Sequence, residues 1–156
     1  MTGAPRFRGD LPPPGADVSS EGSWASSAAV RRTMQGNRSR NTVPEVRLRS
    51  ALHRSGLRFF KHRRPQPGIS CRVDILFPAA HLAVFVDGCF WHGCLEHGTR
   101  PGAHSEWWTA KLELNRLRDE RNDADLARAG WRVLRIWEHE SVDEAARRVQ
   151  VAVRSG

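Results

Sequence analysis

The chain has 156 residues, of which 39% are hydrophobic and 27% are charged. This composition is typical of one globular domain with a buried core. No apolar run approaches the roughly 18 residues that a membrane span needs, and the N-terminus has no signal-peptide pattern, so we expect a cytoplasmic protein with no membrane partner. The formal net charge of +8 indicates a polyanionic partner, nucleic acid first among them. A merely basic soluble protein is the alternative.

The N-terminal region differs in composition from the rest of the chain. Residues 1–27 are rich in Pro, Gly and Ser and include Pro12-Pro13-Pro14-Gly15, which cannot join a helix or a central strand. We predict that this stretch is a disordered tail. Residues 28–156 then form a single domain, whose first part, residues 28–40, is an arm that ends in the basic run Arg38-Ser39-Arg40.

Helices and strands alternate along the predicted domain. The first helix opens at Asn41 or Thr42, with Pro44 and Glu45 in its first turn, where both residue types are favoured. The predicted elements are this helix up to Gly56, strands at 57–61, 71–77 and 82–86, a long helix at 106–129, a strand at 131–137 and a last helix that Ser141 caps. This order predicts an α/β fold with a mixed central sheet flanked by helices, as in the restriction-endonuclease-like core.

The long helix carries two lines of side chains at helical spacing. We predict that its core-facing line consists of Trp107, Ala110, Leu114 and Leu117. The second line consists of Trp108, Leu112, Asn115 and Asp119. Because residues three or four apart share a helix face, Asn115 and Asp119 should point in the same direction.

Two carboxylates lie in or at the end of predicted neighbouring strands. Asp74 stands inside an otherwise apolar strand, where a carboxylate is costly unless it is paired or bound to a metal. Asp87 ends the next strand. Many nucleases hold Mg²⁺ with such a pair, because hard oxygen ligands suit this ion. Paired strand carboxylates also occur without a metal, so this pattern alone is a weak signal. Glu45, taken alone, is read as an ordinary first-turn charge.

A cysteine-histidine group follows the second aspartate. Cys89, Cys94 and His97 have a spacing typical of zinc ligands. His92, His139 or water would complete four-fold coordination. Three cysteines cannot all pair with each other, and in a cytoplasmic chain two of them close together among histidines favour metal over a disulfide. Free thiols beside surface histidines are the alternative.

Several strings of residues carry a family resemblance. They are Asp87-Gly88-Cys89-Phe90-Trp91-His92, Trp107-Trp108, Asn115…Arg118-Asp119, Gly130-Trp131-Arg132-Val133-Leu134…Trp137-Glu138-His139-Glu140 and Met34…Thr42-x-Pro44-Glu45. Over most of the predicted domain the chain resembles the very short patch repair (Vsr) endonucleases. That family nicks DNA on the 5′ side of the T in T:G mismatches that arise from deamination of 5-methylcytosine. The resemblance implies the restriction-endonuclease-like core with a structural zinc site.

The resemblance also implies roles for the acidic residues. Asp74 and the backbone carbonyl of Val86 match the Mg²⁺ ligands, and His92 matches the general base for the attacking water. Asp87 stands where some members carry His and others Asp, and a carboxylate there is able to bind metal or water. The remaining matches to accessory acidic positions are Glu45 and Asp119.

Zinc ligands and DNA contacts are implied in the same way. The implied zinc ligands are Cys89, Cys94, His97 and His139, which leaves His92 to catalysis. The implied DNA contacts are Phe90, Trp91 and Trp108 as wedges beside the mismatch, Met34 on the arm at residues 28–40, and Asn115. Opening a base step costs a few kcal/mol, least at a mispair. Core packing is the alternative for each of these large side chains.

The predicted function is therefore Mg²⁺-assisted, strand-specific nicking of double-stranded DNA at T:G mismatches, with Zn²⁺ as a structural ion. Mismatch-repair proteins are further candidate partners, and we expect a monomer that associates with the nucleoid when bound to DNA. Two alternatives remain open. One is a nuclease of the same fold without mismatch preference, and the other is a non-catalytic zinc module that binds DNA.

Overall fold

The fold is that of a computed structural model, which describes residues 40–89, residue 94 and residues 105–156, with the backbone alone for 105–108. The predicted tail at 1–27 and nearly all of the predicted arm at 28–40 lie outside this part of the chain. The helices within it are α1 (Val43–Arg54), α2 (Ser105–Arg128) and α3 (Val142–Arg154). The strands are β1 (Phe60–Arg63), β2 (Val73–Phe77), β3 (Leu82–Asp87) and β4 (Arg132–Trp137). None of these helices is long and apolar enough to cross a membrane.

Local capping explains where two of the helices begin. The Thr42 hydroxyl accepts the backbone N–H of Glu45 at the start of α1, and the Ser141 hydroxyl accepts that of Glu144 at 3.2 Å at the start of α3. Each bond satisfies a donor that a helix leaves unpaired in its first turn. After α1, Gly56 turns the chain with a φ of +79°. The predicted starts of both helices are confirmed.

The four strands form one mixed sheet in the order β1-β2-β3-β4. Both β1 with β2 and β2 with β3 pair antiparallel, whereas β3 and β4 pair parallel from Leu82↔Arg132 to Asp87↔Trp137. A parallel pair needs a long crossover connection, and α2 lies within the one that joins β3 to β4. The predicted mixed sheet flanked by helices is confirmed.

Two hydrophobic clusters cover the sheet. The first joins the sheet to α1 and α3, and its larger buried side chains are Leu48, Leu52, Ile75, Phe77, Leu82, Val84, Ile136 and Val149. The second joins the sheet to α2, and its members are Ile69, Val73, Leu76, Ala83, Phe85, Leu126 and Trp131. Helices therefore pack on both faces of the sheet, as in other layered α/β folds.

Strand β2 is irregular at Asp74. Its neighbours Ile75 and Phe77 belong to the first cluster, but Val73 packs in the second, although strict alternation would keep all three together. The backbone pairing of β2 with β3 ends at Ile75↔Val84. Two residues further along β3, the Val86 N–H donates to the Asp74 carboxylate at 2.9 Å. The irregularity thus places the Asp74 side chain beside the end of β3.

The predicted core line of the long helix is wrong. Leu114 and Leu117 are 48% and 47% exposed, whereas Asn115 and Asp119 on the second line are partly buried. The reason is Leu126, which lies about two helical turns after Asp119 and is fully buried. Positions 115, 119, 122 and 126 share one helix face, so burial of Leu126 turns the polar line towards the protein and the two leucines away from it.

Candidate active site and metal ligands

Three potential metal ligands from different elements come together beside the sheet. They are Glu45 in the first turn of α1, His62 in β1 and Asp74 in β2, and their ligand atoms all lie within 4.8 Å of one another. Glu45 and Asp74 were predicted as site residues, and the structure brings them together. We call these three residues, with Asn41 and Arg49, the α1-side cluster.

Glu45 is both a capping residue and a buried acid. It is only 3% exposed. Its carboxylate accepts the backbone N–H of Asn41 at 3.0 Å and the hydroxyl of Thr42 at 3.1 Å, while its own N–H reaches that hydroxyl at 3.4 Å. These local bonds compensate the cost of burying the carboxylate. The charge of Glu45 is thus held in place by the residues that start the helix.

A buried arginine lies against this carboxylate. The Arg49 guanidinium is one turn along α1, and its Nη1 is 3.6 Å from Glu45 Oε2. Its Nη2 donates to Asn41 Oδ1 at 2.7 Å, and its Nη1 is 3.1 Å from His62 Nε2. Arg49 therefore balances the charge of Glu45 and links α1 to β1.

His62 was not predicted as a site residue. Its Nε2 lies 3.4 Å from Glu45 Oε2 and its Nδ1 lies 3.8 Å from Asp74 Oδ1. Burial lowers the pKa of His62, and nearby Arg49 acts in the same direction against Glu45, which raises it. Its Nε2 is also 3.1 Å from Arg49 Nη1 and 3.4 Å from Asn41 Oδ1, so this nitrogen lies within the α1-side cluster while Nδ1 faces Asp74.

The position of His62 beside Asp74 follows from the pairing of β1 with β2. The register pairs Lys61 with Ile75 and Arg63 with Val73, so the residue between them stands opposite Asp74. In the sequence it looks like one member of a basic run. Its φ of +50° departs from extended backbone, and that departure is invisible in the residue pattern.

Asp74 is the more accessible of the two clustered carboxylates. Its side chain is 21% exposed, against 4% for Glu45. The bond from the Val86 N–H to Asp74 Oδ2 places the two predicted Mg²⁺ ligands, Asp74 and Val86, side by side on neighbouring strands. Hard oxygen atoms in this setting suit a divalent cation that keeps part of its water shell.

Asp87 lies in a different environment from Asp74. It is 4% exposed, and both of its oxygens accept from Arg135 Nη1, at 2.9 and 2.8 Å. Arg135 also donates to the two oxygens of Asp123 at 3.0 and 2.9 Å. We call Asp87, Arg135 and Asp123 the α2-side triad, since Asp123 belongs to α2. The predicted catalytic role of Asp87 remains a prediction, and its ion pair favours a supporting role.

The two predicted site residues of α2 lie on its partly buried side. Asn115 and Asp119 are one helical turn apart there, as the spacing predicts. Asp119 Oδ1 is 3.4 Å from Nη2 of its neighbour Arg118. Their roles as DNA contact and accessory acid remain predictions.

Two thiols and one imidazole form a second candidate metal centre. His139 Nδ1 lies 3.0 Å from Cys89 Sγ and 3.7 Å from Cys94 Sγ, and both thiols are buried. Burial and the adjacent Cys94 raise the pKa of the Cys89 thiol. The Cys89 N–H donates to Glu138 Oε1 at 2.7 Å. The sequence leaves His92, His139 or water open as the fourth ligand. The structure places His139 beside the two cysteines.

The other predicted site residues lie outside the described part of the chain. They are Met34, Phe90, Trp91, His92 and His97, together with the side chain of Trp108. Their predicted roles as wedges, general base and zinc ligand therefore remain predictions.

Comparison with known proteins identifies the family. The profile of the DNA mismatch endonuclease Vsr family matches residues 26–97. The type II nicking enzyme V.NaeI of Lentzea aerocolonigenes is 46% identical over 76% of this chain and 73% of its own length. V.XorIIP, a type II nicking enzyme of Xanthomonas oryzae, is 47% identical over 74% of this chain and 84% of its own length. The DNA mismatch endonuclease Vsr of Escherichia coli is 35% identical over 71% of this chain and 70% of its own length. The chain belongs to the Vsr family of DNA endonucleases.

Proposed function

We propose that this chain nicks one strand of duplex DNA on the 5′ side of the T in a T:G mismatch. The observation that carries the proposal is the meeting of Glu45 and Asp74 beside the end of β3, in a chain whose relatives are named nicking enzymes and a mismatch endonuclease. The net charge of +8 suits a phosphate backbone, and affinity for DNA should fall steeply with salt. Mismatches left by deamination of 5-methylcytosine are the proposed substrates.

Asp74 is the proposed anchor of a catalytic Mg²⁺ ion. The donor set fits, because a partly exposed carboxylate stands beside the backbone of Val86 and oxygen ligands suit this ion. When bound, Mg²⁺ polarises the scissile phosphate and stabilises the leaving oxygen. His92 is the proposed base that takes a proton from the attacking water, since imidazole titrates near neutral pH. Glu45 and Asp119 are proposed accessory acids.

Cys89, Cys94 and His139 are proposed zinc ligands, with His97 as the fourth. The sulfur–nitrogen distances of 3.0 and 3.7 Å are close to those between neighbouring ligands of one tetrahedral ion, given bond lengths of about 2.0 to 2.3 Å. The ion would tie the chain after β3 to the end of β4. It has no role in the reaction itself.

The aromatic residues after β3 are proposed to read the mismatch. Phe90 and Trp91 follow Cys89 directly in the sequence, and Cys89 comes two residues after the end of β3. With Trp108 and Met34 they would enter the base stack at the weakly paired T:G step, where opening costs least. Asn115 is a proposed DNA contact.

A strand-specific nicking assay tests this proposal. The substrates are a T:G duplex in several flanking contexts and matched T:A and C:G duplexes, each with Mg²⁺ and with EDTA. We expect Mg²⁺-dependent cutting only 5′ of the mispaired T, and its loss in His92→Ala. Equal cutting of matched duplex would retain the nuclease and discard the mismatch specificity. Absence of cutting in every context, with the protein folded, would contradict the proposed activity.

A further inference from the structure

Cys89 is anchored through both polar groups of its backbone. Its carbonyl accepts the N–H of Cys94 at 3.0 Å, and this bond holds the residue of the second thiol close to the first. Its own N–H donates to Glu138 Oε1 at 2.7 Å. A hydrogen bond from a backbone N–H to a carboxylate is of the strong, charge-assisted kind. Whatever fixes Glu138 therefore also fixes the position of Cys89.

Glu138 is itself attached to the sheet. Its backbone N–H donates to the carbonyl of Asp87 at 2.9 Å, a bond that continues the pairing of β3 with β4 one residue past the end of β4. Within the described part of the chain, the metal-ligand group at this strand end comprises Cys89, Cys94 and His139, without Glu138. The Glu138 carboxylate thus acts on the centre through the backbone of Cys89 and not as a ligand.

A second glutamate shapes the turn that carries His139. Glu140 Oε1 accepts the Trp137 N–H at 2.8 Å, and the Glu140 N–H donates back to the Trp137 carbonyl at 3.0 Å. These two hydrogen bonds close a turn that contains His139. Arg148 of α3 fastens this turn, because its guanidinium pairs with Glu140 Oε2 and also donates to the Arg135 carbonyl at 3.2 Å.

We propose that Glu138 and Glu140, the two neighbours of His139, are positioning residues that hold Cys89 and His139 at ligand distance before the ion binds. The inference rests on the proposed function only in taking the two thiols and His139 as zinc ligands. A centre assembled in advance loses less conformational freedom when the ion arrives. Partners that orient metal ligands in this way typically change metal affinity by about 10–100-fold.

Competition with a chromophoric chelator measures the effect on zinc affinity in the full chain. Glu138→Ala removes the acceptor of the Cys89 N–H and should weaken zinc binding about tenfold or more. Glu138→Gln keeps an amide oxygen that is able to accept this bond, so its affinity should stay close to that of the wild type. Arg148→Met, which leaves Glu140 without its cation, should weaken binding less than Glu138→Ala.

The next-door residue of α3 supplies the matched control. Arg147 pairs with Glu144 in the same helix, and its side chain is 69% exposed, whereas Arg148 pairs with Glu140, whose side chain is 14% exposed. Arg147→Met should therefore leave zinc affinity unchanged.

Substitution of Co²⁺ for zinc separates positioning from a merely structural role. The visible absorption of Co²⁺ reports the geometry of its ligands, which for this thiolate and imidazole set is tetrahedral. We expect an altered spectrum in folded Glu138→Ala and the wild-type spectrum in Glu138→Gln. A residue with a merely structural role would lower the unfolding temperature and leave the spectrum of the folded protein unchanged.

Two results would overturn the inference. They are wild-type affinity and spectrum in Glu138→Ala, or an equal loss in Glu138→Gln, which would indicate an effect of charge and not of the hydrogen bond. If Glu138→Ala does not fold, the comparison of Arg148→Met with Arg147→Met still decides. A wild-type chain that binds no zinc would refute the proposed metal centre itself, and the separate nicking assay would show whether the proposed activity survives.

Discussion

Two aspartates on neighbouring strands have opposite environments. Asp74 in β2 belongs to the α1-side cluster, where its side chain is 21% exposed and faces His62. Asp87 at the end of β3 belongs to the α2-side triad, where it is 4% exposed and bonded through both oxygens to Arg135. The sequence pattern treats the two residues alike. What distinguishes them in the structure is the neighbouring group, which is the Arg135 guanidinium at Asp87 and the His62 imidazole at Asp74.

We infer from this difference that the Asp74 side of the sheet serves the reaction and that the Asp87 side stabilises the fold. Arg135 contacts both oxygens of Asp87 through Nη1 and neutralises that carboxylate, so a metal ion would have to break the pair. The thiol group of Cys89 and Cys94 follows directly on this strand, and Glu138 and His139 join it from the end of β4. We infer that the α2-side triad and the thiols hold the strand ends, whereas the α1-side cluster supplies the metal-binding carboxylate of the site.

Loss of a thiol should reduce the stability of the protein more than any other change considered below. Cys94→Ser removes a proposed zinc ligand, and zinc binding in small peptides contributes roughly 10–16 kcal/mol to folding. We expect the variant to lose its zinc, measured by metal analysis, and to unfold at a much lower temperature than the wild type. The matched control is Cys71→Ser, since Cys71 is a free cysteine outside the thiol group. Full zinc content in Cys94→Ser would refute the assignment.

Removal of Arg135 should have the next largest effect. Arg135→Met leaves Asp87 and Asp123 without their shared cation, and breaking a buried ion pair costs about 3–5 kcal/mol. Urea unfolding measures the loss. Arg128→Met is the control, because the Arg128 side chain is 75% exposed and such ion pairs contribute less than about 1 kcal/mol. Equal stability of the two variants would show that the triad is not structural.

The smallest expected effect is on the rate at which the Cys71 thiol is alkylated. Burial raises the pKa of Cys71, as do the charges of Asp125 and Asp123, while Arg135 lowers it. Only the thiolate is alkylated, so the folded zinc-loaded protein should react more slowly with iodoacetamide at pH 8.5 than the unfolded chain. Asp123→Asn removes a negative charge that raises this pKa, so alkylation of Cys71 should become faster. An unchanged rate would place Cys71 outside the influence of the triad.

How much the sequence predicts depends on whether a feature is local. The start of α1 at Thr42 and the capping of α3 by Ser141 follow from short-range hydrogen bonds, and both were predicted. The meeting of Cys89 with Cys94 is also local. The rotation of α2 was mispredicted because Leu126, rather than the leucines in the middle of the helix, sets which side is buried.

Of the α1-side cluster, only the two acidic residues were predicted from the sequence. Glu45 and Asp74 stand out as charges in helical and apolar settings, but Arg49 and His62 look like members of basic runs. Their part in the cluster depends on the pairing of β1 with β2 and on the left-handed backbone at His62. Neither property is visible in composition or spacing, because both arise from contacts between distant parts of the chain.

The most direct test of this division compares Asp74→Asn with Asp87→Asn. Single-turnover nicking of T:G duplex with Mg²⁺ and the free energy of unfolding are measured for both. We expect Asp74→Asn to lose about a thousandfold or more in rate, since a metal supplies several kcal/mol of transition-state stabilisation, with little loss of stability. Asp87→Asn should be less stable and keep its nicking rate within about tenfold. Equal loss of rate in two equally stable variants would contradict the division and place Asp87 in the chemistry.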